Sequence, residues 1–238
     1  MVFFASAAIM MGFLMFVSKH PEIAGRSAVL STKASLITSA SWPAFFSLLI
    51  QMSLVLGMLG PGMVTIWIFG REYSDRVIKD LLALPVSRQT IVFSKFMIIL
   101  IWSILLLSVL YVFGILSGLL VSLDGWSKES LINFSKAFAG GSILTIVLCT
   151  PIAFITSVSR GYLLPVAVLI ILLIVTQFIF VGLSGIAPYF PWAVPALYSG
   201  AAGPFAPNPQ MISLLILIIT SLAGLIGTAA WWRLADQK

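Results

Sequence analysis

Charged side chains are concentrated in one short stretch of this chain, between residues 71 and 80. Six of them fall within those ten positions: Arg71, Glu72, Asp75, Arg76, Lys79 and Asp80. Charged residues make up 8% of the whole protein, and the sequence on both sides of the stretch is apolar. Three acids beside three bases suit electrostatic recognition of a partner surface, because complementary charges set register and partner choice.

The other reactive side chains of the sequence are isolated from one another. Cys149 is the single cysteine and has no internal disulfide partner, and His20 is the single histidine. Ser and Thr are scattered without a matching base, which gives nucleophilic catalysis no support. No G-x-x-x-x-G-K-[ST] phosphate loop occurs, and the glycines of GMLGPG at 57–62 have no lysine beside them. We therefore predict no enzyme activity, no metal site and no cofactor bound by this chain.

Membrane helices are the elements that must position the charged stretch. The chain has 238 residues, of which 61% are hydrophobic, and its mean hydropathy is +1.15. A water-soluble domain carries about 25% charged residues, three times the share found here. Four long stretches have no charged side chain: 34–70, 96–123, 137–159 and 161–232. Since a membrane helix needs about 20 apolar residues, the first three stretches hold one span each and the last holds two.

The predicted fold is an all-α integral membrane protein with one transmembrane domain, residues 1–238. The six predicted spans are about 2–18, 44–69, 94–122, 137–158, 162–184 and 211–232. Barrel strands are disfavoured because the apolar runs are continuous rather than alternating. For the first span we expect an uncleaved helix rather than a secretory signal, because no Lys or Arg precedes it. Tryptophans, which favour the headgroup level, mark many predicted ends: Trp42, Trp67, Trp126, Trp192, Trp231 and Trp232.

Lysine and arginine are distributed unequally between the two sides that six spans define. One side receives Arg71, Arg76, Lys79, Arg88, Lys95, Arg160, Arg233 and Lys238. The other side receives Lys19, Arg26, Lys33, Lys128 and Lys136. Because basic residues near span ends favour the inner face, we predict a multi-pass cell-membrane protein with both termini and the charged stretch in the cytoplasm.

The charged stretch is part of an amphipathic pattern that predicts a short cytoplasmic helix over 72–84. Its apolar positions recur at steps of four, four and three: Tyr73, Val77, Leu81 and Leu84. Charges fill the opposite side: Glu72, Asp75, Arg76, Lys79 and Asp80. Pro85 disfavours helical geometry at Leu84 and ends the segment. The alternative is a helix that rests on lipid headgroups, although such helices carry mostly Lys and Arg on their polar face.

Residues 70–95, GREYSDRVIKDLLALPVSRQTIVFSK, resemble the first cytoplasmic loop of ABC transporter permeases of the type-2 exporter class. More narrowly, they resemble the six-span bacterial permeases grouped with bacitracin and lantibiotic exporters. In that family an acidic residue opens the loop, a coupling helix follows, and a Leu-Pro-x-Ser-Arg turn leads into the third span. The matching residues are Glu72, Leu84-Pro85, Ser87-Arg88 and Lys95. The six-span layout and the ending AWWRLADQK also fit.

The resemblance implies a permease without its own motor. ATP would be bound by cytosolic ABC ATPase subunits, and a second permease copy or a related permease would complete the pathway. The resemblance assigns ATPase coupling to ten residues, whose charged members would lie at a partly exposed rim. They are Glu72, Tyr73, Arg76, Val77, Lys79, Asp80, Leu81, Leu84, Pro85 and Arg88. Such permeases usually begin with an amphipathic segment before the first span, whereas the given sequence begins at the first predicted span. It also has Asp75-Arg76-Val77 where relatives often carry Gly-Thr or Thr.

Polar and glycine positions within the spans leave two interpretations each. Gly114 and Gly118 form a GxxxG pattern that suits either packing within one subunit or a seam between copies. Gln51 and Gln177 suit either interhelical hydrogen bonds or contacts to a transported molecule. Between the last two spans, six prolines in residues 186–210 forbid one continuous helix and predict a broken, aromatic-rich outer segment. In the resembling exporters this region forms short helices that shape the exit of the pathway.

The function that we predict is export of a hydrophobic or amphipathic molecule, such as an antimicrobial peptide or a lipid-linked compound. Export of sodium or another ion by the same architecture is an alternative. A secondary carrier is disfavoured because it would need ionisable groups within the spans. The predicted spans contain none apart from Lys95, which lies near one end. A membrane scaffold or immunity protein is a further alternative. Membrane lipids, but no nucleic acid, are expected partners.

Overall fold

Six helices in the described part of the chain are long and apolar enough to cross a membrane. The structure, a computed structural model, describes residues 1–20, 22, 40–75, 86–203 and 206–234, and no β-strand occurs among them. The first three spans are α1 (Val2–Lys19), α2 (Trp42–Ser74) and α3 (Arg88–Val121). The fourth consists of α4 (Lys128–Val147) and α5 (Cys149–Ser159), and the last two are α6 (Leu163–Gly182) and α8 (Met211–Leu234). The predicted all-helical, six-span layout is confirmed.

The segment between α6 and α8 consists of short helical pieces. They are two 3₁₀ helices, Ser184–Tyr189 and Pro191–Ala193, followed by α7 (Val194–Ser199). α7 packs against α4, where Gly140 lies against the ring of Tyr198 and Gly141 against Pro195 and Ser199.

The fourth span begins nine residues before the predicted start at 137. Ser127 is the N-cap, and its side chain accepts a hydrogen bond from the backbone N–H of Ser130. The charged residues Lys128, Glu129 and Lys136 then lie within α4. The prediction counted apolar residues alone, whereas a helix tolerates charges in the turns that reach beyond the hydrocarbon.

A break at Leu148 divides the fourth span into α4 and α5. Pro151 has no N–H to donate to the carbonyl of Val147 four residues earlier. The Thr150 hydroxyl lies 3.0 Å from that carbonyl and 2.7 Å from the carbonyl of Ser221 in α8. Gly224 of α8 touches the backbone of Pro151, so α8 crosses closely at the break.

The helix order places two sets of connections at opposite ends of the bundle. One end, here called the charged-segment end, carries both ends of the charged segment (residues 71–88), residues 160–162 and the end of α8 at Leu234. The opposite, distal end carries the end of α1 at Lys19, the start of α2 at Trp42, residues 122–127, and residues 183–203 and 206–210. α2 and the fourth span are central, since half of their most apolar stretch is buried, against 22–28% in the other spans.

Aromatic side chains fill the core near the distal end. Phe134 stacks on Phe46 with ring centroids 4.3 Å apart and on Tyr111 at 5.6 Å. Trp42 packs on Phe46 at 5.1 Å and is 2% exposed. The stacked rings join α2, α3 and α4, and Trp42 is a core residue rather than the interfacial ring that its position in sequence predicts.

Candidate functional site

A buried ion pair joins α2 to α3 at the charged-segment end. Lys95 Nζ lies 2.8 Å from Glu72 Oε1 and donates a second hydrogen bond, 2.7 Å long, to the backbone carbonyl of Ile68. The side chains of Lys95 and Glu72 are 7% and 19% exposed. Such a pair is costly to remove from water and is stable where hydrogen bonds satisfy both partners.

Glu72 lies in the last turn of α2 with its side chain 19% exposed. Residues Glu72–Ser74 continue α2, and Asp75 caps its end, so no separate helix begins at residue 72. No Gly or Pro interrupts residues 71–75, and the helix accordingly runs past the last apolar residue. The exposed charges here are Arg71 and Asp75, which pair at 3.2 Å. The assignment of Glu72 to ATPase coupling stays a prediction.

Most of the other predicted coupling positions lie outside the described residues. These are Arg76, Val77, Lys79, Asp80, Leu81, Leu84 and Pro85. The other two positions, Tyr73 and Arg88, are described, and both contact α8. The ring of Tyr73 meets the ring of Trp232 edge-on at 6.3 Å. Arg88 donates to the backbone carbonyls of Trp232 at 3.3 Å and Arg233 at 3.5 Å.

Arg88 and its neighbour Gln89 satisfy carbonyls in the last turns of α8. Gln89 Nε2 donates to the carbonyl of Ala229 at 3.2 Å. The last four carbonyls of a helix have no partner within the helix, so those of Trp232 and Arg233 accept such donors readily. Ser87 begins α3 as its N-cap and accepts a hydrogen bond from the N–H of Thr90. The first turn of α3 is thereby attached to the last turn of α8.

Trp232 lies at the centre of this region and is fully buried. Its ring centroid is 5.2 Å from Lys95 Nζ, and that of Phe69 is 5.1 Å from the same nitrogen. Its Nε1 donates to Ser157 Oγ of α5 at 3.1 Å. We call Phe69, Glu72, Lys95, Ser157 and Trp232 the Trp232 cluster. It joins α2, α3, α5 and α8.

Sequence reasoning missed this cluster and assigned Trp232 to the membrane interface. The signal was present in Glu72 and Lys95, because a charge close to an apolar run needs a partner. A second signal lies in the adjacent Trp231 and Trp232, whose side chains point about 100° apart on a helix, so at most one of them can face outward fully. Ser157 carried no signal, since serines are common throughout the spans.

The structure brings Gln51 and Gln177 to the wall of one cavity. The cavity has a volume of about 220 Å³ and lies between α2, the fourth span, α6 and the α7 segment. Thr145, Thr176 and Trp192 also line it, and the remaining lining side chains are apolar. Both glutamines are exposed on the outside of the described bundle. Neutral hydrogen-bonding groups on an otherwise apolar wall can bind a molecule that carries both amides and apolar groups.

Gly114 and Gly118 face α2 of the same chain. A Cβ atom added to Gly114 would lie 2.9 Å from Leu49 Cδ1, and one added to Gly118 would lie 2.7 Å from Phe45 Cε1. The GxxxG pattern lets α2 and α3 approach closely. Among the described residues, no three His, Cys, Asp or Glu side chains come together as a metal site requires.

Two comparisons with known proteins agree. Residues 1–176 match the family model described as ABC-2 family transporter protein. The chain is also similar to a bacitracin transport permease protein of Bacillus licheniformis, with 32% identity over 184 residues. That alignment covers 77% of this chain and 86% of the relative. No solved structure matches the chain.

Proposed function

The chain belongs to the ABC-2 family of transporter proteins and is a multi-pass membrane permease subunit; from this premise we propose that it exports a hydrophobic or amphipathic molecule with ATP hydrolysed by a separate ABC ATPase chain. The observation that carries the proposal is the cavity between α2 and α6, whose lining is uncharged. The described spans concentrate their buried charge in the Lys95–Glu72 pair at one end.

A peptide antibiotic is the cargo class that we favour. The relative's name refers to bacitracin transport. Gln51 and Gln177 supply amide donors and acceptors that a peptide backbone can use, while Trp192 and the apolar lining suit its side chains. A permease for sodium or another ion would be expected to line its pathway with charged or ionisable groups, which this cavity lacks.

The cargo is tested in proteoliposomes that contain the permease and its ATPase. We expect bacitracin to raise ATP hydrolysis and to be carried across the membrane. Sodium chloride, compared with choline chloride at equal ionic strength, should leave hydrolysis unchanged. Stimulation by sodium with no response to the peptide would overturn the peptide assignment and favour an ion exporter.

The charged-segment end faces the cytoplasm in this proposal, as the distribution of Lys and Arg predicts. Ser74 and Asn208 are exposed and lie at opposite ends of the bundle. The native Cys149 is buried, and a Cys149→Ser background removes it. In that background, Ser74→Cys should react with an impermeant thiol reagent after the cytoplasmic side is opened, and Asn208→Cys should react from outside. Reversed labelling would contradict the orientation.

Docking of the ATPase on the charged segment is tested by substituting the apolar residues of that segment. We expect the double substitution Leu81→Asp, Leu84→Asp to abolish copurification of the ATPase while the permease still inserts. Leu183→Asp is the control, because Leu183 is an exposed leucine at the distal end. Normal ATPase retention by the double variant would refute docking at this segment.

A second permease, identical or related, would cover the exposed face of α2 and α6 in an assembly with two ATPases. Gln177 lies on α6 among large apolar side chains that face outward, including Ile174, Phe178 and Val181. A glutamine directed at lipid is unfavourable, whereas one directed at a second subunit can form hydrogen bonds.

The pair is tested by cysteine cross-linking in membranes of the Cys149→Ser background. Gln177→Cys should cross-link two permease chains. Ile219→Cys should not, although Ile219 is 63% exposed on α8. Cross-linking through residue 219 but not through residue 177 would place the contact on a different face.

A further inference from the structure

Both ends of the charged segment, residues 71–88, are attached to the Trp232 cluster. At the start of the segment, Glu72 is paired with Lys95 at 2.8 Å. At its end, Arg88 donates to the carbonyl of Trp232 itself. A displacement of the segment therefore acts on the same buried side chains from two directions.

We infer that the Trp232 cluster is the joint through which movement of the charged segment reaches α3, α5 and α8, with Lys95 and Trp232 as positioning residues for coupling. The inference rests on the proposed function, in which an ATPase moves this segment. It assigns coupling to buried contacts between helices, in addition to any contact that the segment itself makes with a partner.

Lys95 fixes α3 against α2. Its ammonium group has a carboxylate and a carbonyl from α2 as acceptors, and the rings of Phe69 and Trp232 lie on its other sides. If α3 slid along α2, the ammonium would lose these partners inside an apolar environment, where an unpaired charge is strongly unfavourable. The two helices consequently move together at this end.

Trp232 extends the connection to α5 and α8 through three different parts of one residue. The ring face contacts Lys95, the indole N–H binds Ser157, and the backbone carbonyl accepts from Arg88. Ser157 is itself fixed, because its hydroxyl donates to the carbonyl of Ala153 at 2.9 Å. Trp232 and Ser157 are both 0% exposed, so water cannot take the place of these partners.

Glu72 has a second carboxylate oxygen that is available as a hydrogen-bond acceptor. Its Oε2 is buried and has no hydrogen-bond partner among the described residues. A buried acceptor of this kind calls for a donor. Rotation of the carboxylate can present Oε2 to Lys95, so the ion pair persists while α2 and α3 move together.

Trp231 supplies a matched control for the indole hydrogen bond. It is adjacent to Trp232 in α8, and its Nε1 is buried without a partner among the described residues. Trp232→Phe removes a bonded N–H and keeps an aromatic ring beside Lys95. Trp231→Phe removes an unbonded N–H from the same turn. Ser157→Ala removes the acceptor, and Ser221→Ala is its control, because the Ser221 hydroxyl has no hydrogen-bond partner in the described part of the chain.

The experiment uses the reconstituted permease–ATPase complex, with basal hydrolysis, bacitracin-stimulated hydrolysis and peptide transported per ATP as readouts. We expect Trp232→Phe and Ser157→Ala to keep basal hydrolysis close to wild type and to lose no more stability than one hydrogen bond and a small cavity account for. Both should lower stimulation and transport per ATP by about fivefold or more, the size of a typical coupling between sites. Trp231→Phe and Ser221→Ala should match wild type.

Lys95 is tested by conservative and non-conservative replacement. Lys95→Met should abolish stimulation, and Lys95→Arg should restore part of it because a guanidinium can pair with Glu72. Should Lys95→Met fail to fold, the Trp232 and Ser157 variants decide the matter.

The possible failures are distinguishable. If the wild-type permease neither retains an ATPase nor responds to the peptide, the proposed function fails and the joint fails with it. If wild type is stimulated, and Trp232→Phe and Ser157→Ala behave as their controls do, the joint alone is refuted. A parallel loss of basal hydrolysis and thermal stability in both variants also refutes it, because the cluster would then be structural.

Discussion

Each end of the bundle joins helices with a lysine that binds one carboxylate and one backbone carbonyl. At the charged-segment end, Lys95 binds Glu72 at 2.8 Å and the Ile68 carbonyl at 2.7 Å. At the distal end, Lys19 lies 3.5 Å from Asp124 and donates to the Ser122 carbonyl at 2.8 Å. The chemistry is the same and the burial differs, since the distal side chains are 33% and 81% exposed.

Burial decides what these two pairs contribute. Water screens the distal pair, and exposed ion pairs contribute about 0–1 kcal/mol. Loss of one partner from a buried pair leaves an uncompensated charge and typically costs about 3–5 kcal/mol. Helix contacts at the distal end therefore depend on aromatic packing, whereas those at the charged-segment end depend on a polar cluster. The hydrogen bonds of a polar cluster are directional and can be exchanged for others, whereas stacked rings have no such bonds to exchange.

The largest expected effect is that of Lys95→Met. This substitution leaves Glu72 buried without its cation and should lower the free energy of unfolding by about 3–5 kcal/mol. Denaturant unfolding of the purified permease in detergent measures it. Lys128→Met, at an exposed lysine of α4, is the control and should stay within about 0.5 kcal/mol of wild type. A Lys95→Met loss as small as that of the control would remove the contrast between the two ends.

Phe134→Leu tests the aromatic packing of the distal end. The substitution removes the ring contacts with Phe46 and Tyr111, each worth about 0.5–1.5 kcal/mol, and should cost about 1–2 kcal/mol. The same unfolding assay applies, and the loss should not depend on salt. Phe178→Leu serves as the control because Phe178 is 70% exposed on α6. Equal stability of both variants would show that the ring stack contributes little.

Arg88→Ala should act locally on the last turn of α8. It removes the donor to the Trp232 and Arg233 carbonyls and should cost about 0.5–1.5 kcal/mol. Hydrogen–deuterium exchange of residues 230–234 should accelerate, while exchange in the distal half of α8 stays unchanged. Arg88→Lys retains the charge without the planar fork and should give an intermediate rate. Unchanged exchange in Arg88→Ala would mean that the cap is not maintained in solution.

The smallest expected effect is that of Lys19→Met, at about 0–1 kcal/mol. Salt sharpens the comparison, because screening weakens exposed pairs far more than buried ones. The stability difference between wild type and Lys19→Met should shrink from low to high salt, and that for Lys95→Met should persist. The opposite pattern would reverse the assignment of burial to the two pairs.

The sequence by itself determined the six spans and many of their boundaries. The length of an apolar run is a property of the chain, and a helix in lipid must satisfy its own backbone hydrogen bonds. Local chemistry set the starts of α3 and α4, where Ser87 and Ser127 cap the first turn. The resemblance of residues 70–95 to a permease loop likewise depends on consecutive residues, and the family match agrees with it.

Only the tertiary structure decided which faces meet. In a water-soluble protein, apolar side chains mark the interior, but lipid is as apolar as the core, so that contrast disappears in a membrane. Leu110 is fully buried while Leu120, on the same helix, is 87% exposed. The pairing of Glu72 with Lys95, the shared cavity of Gln51 and Gln177, and the burial of Trp232 all depend on how the helices are rotated and which of them are neighbours. Those choices are made by close packing and hydrogen bonding between distant segments, which no local pattern in the chain encodes.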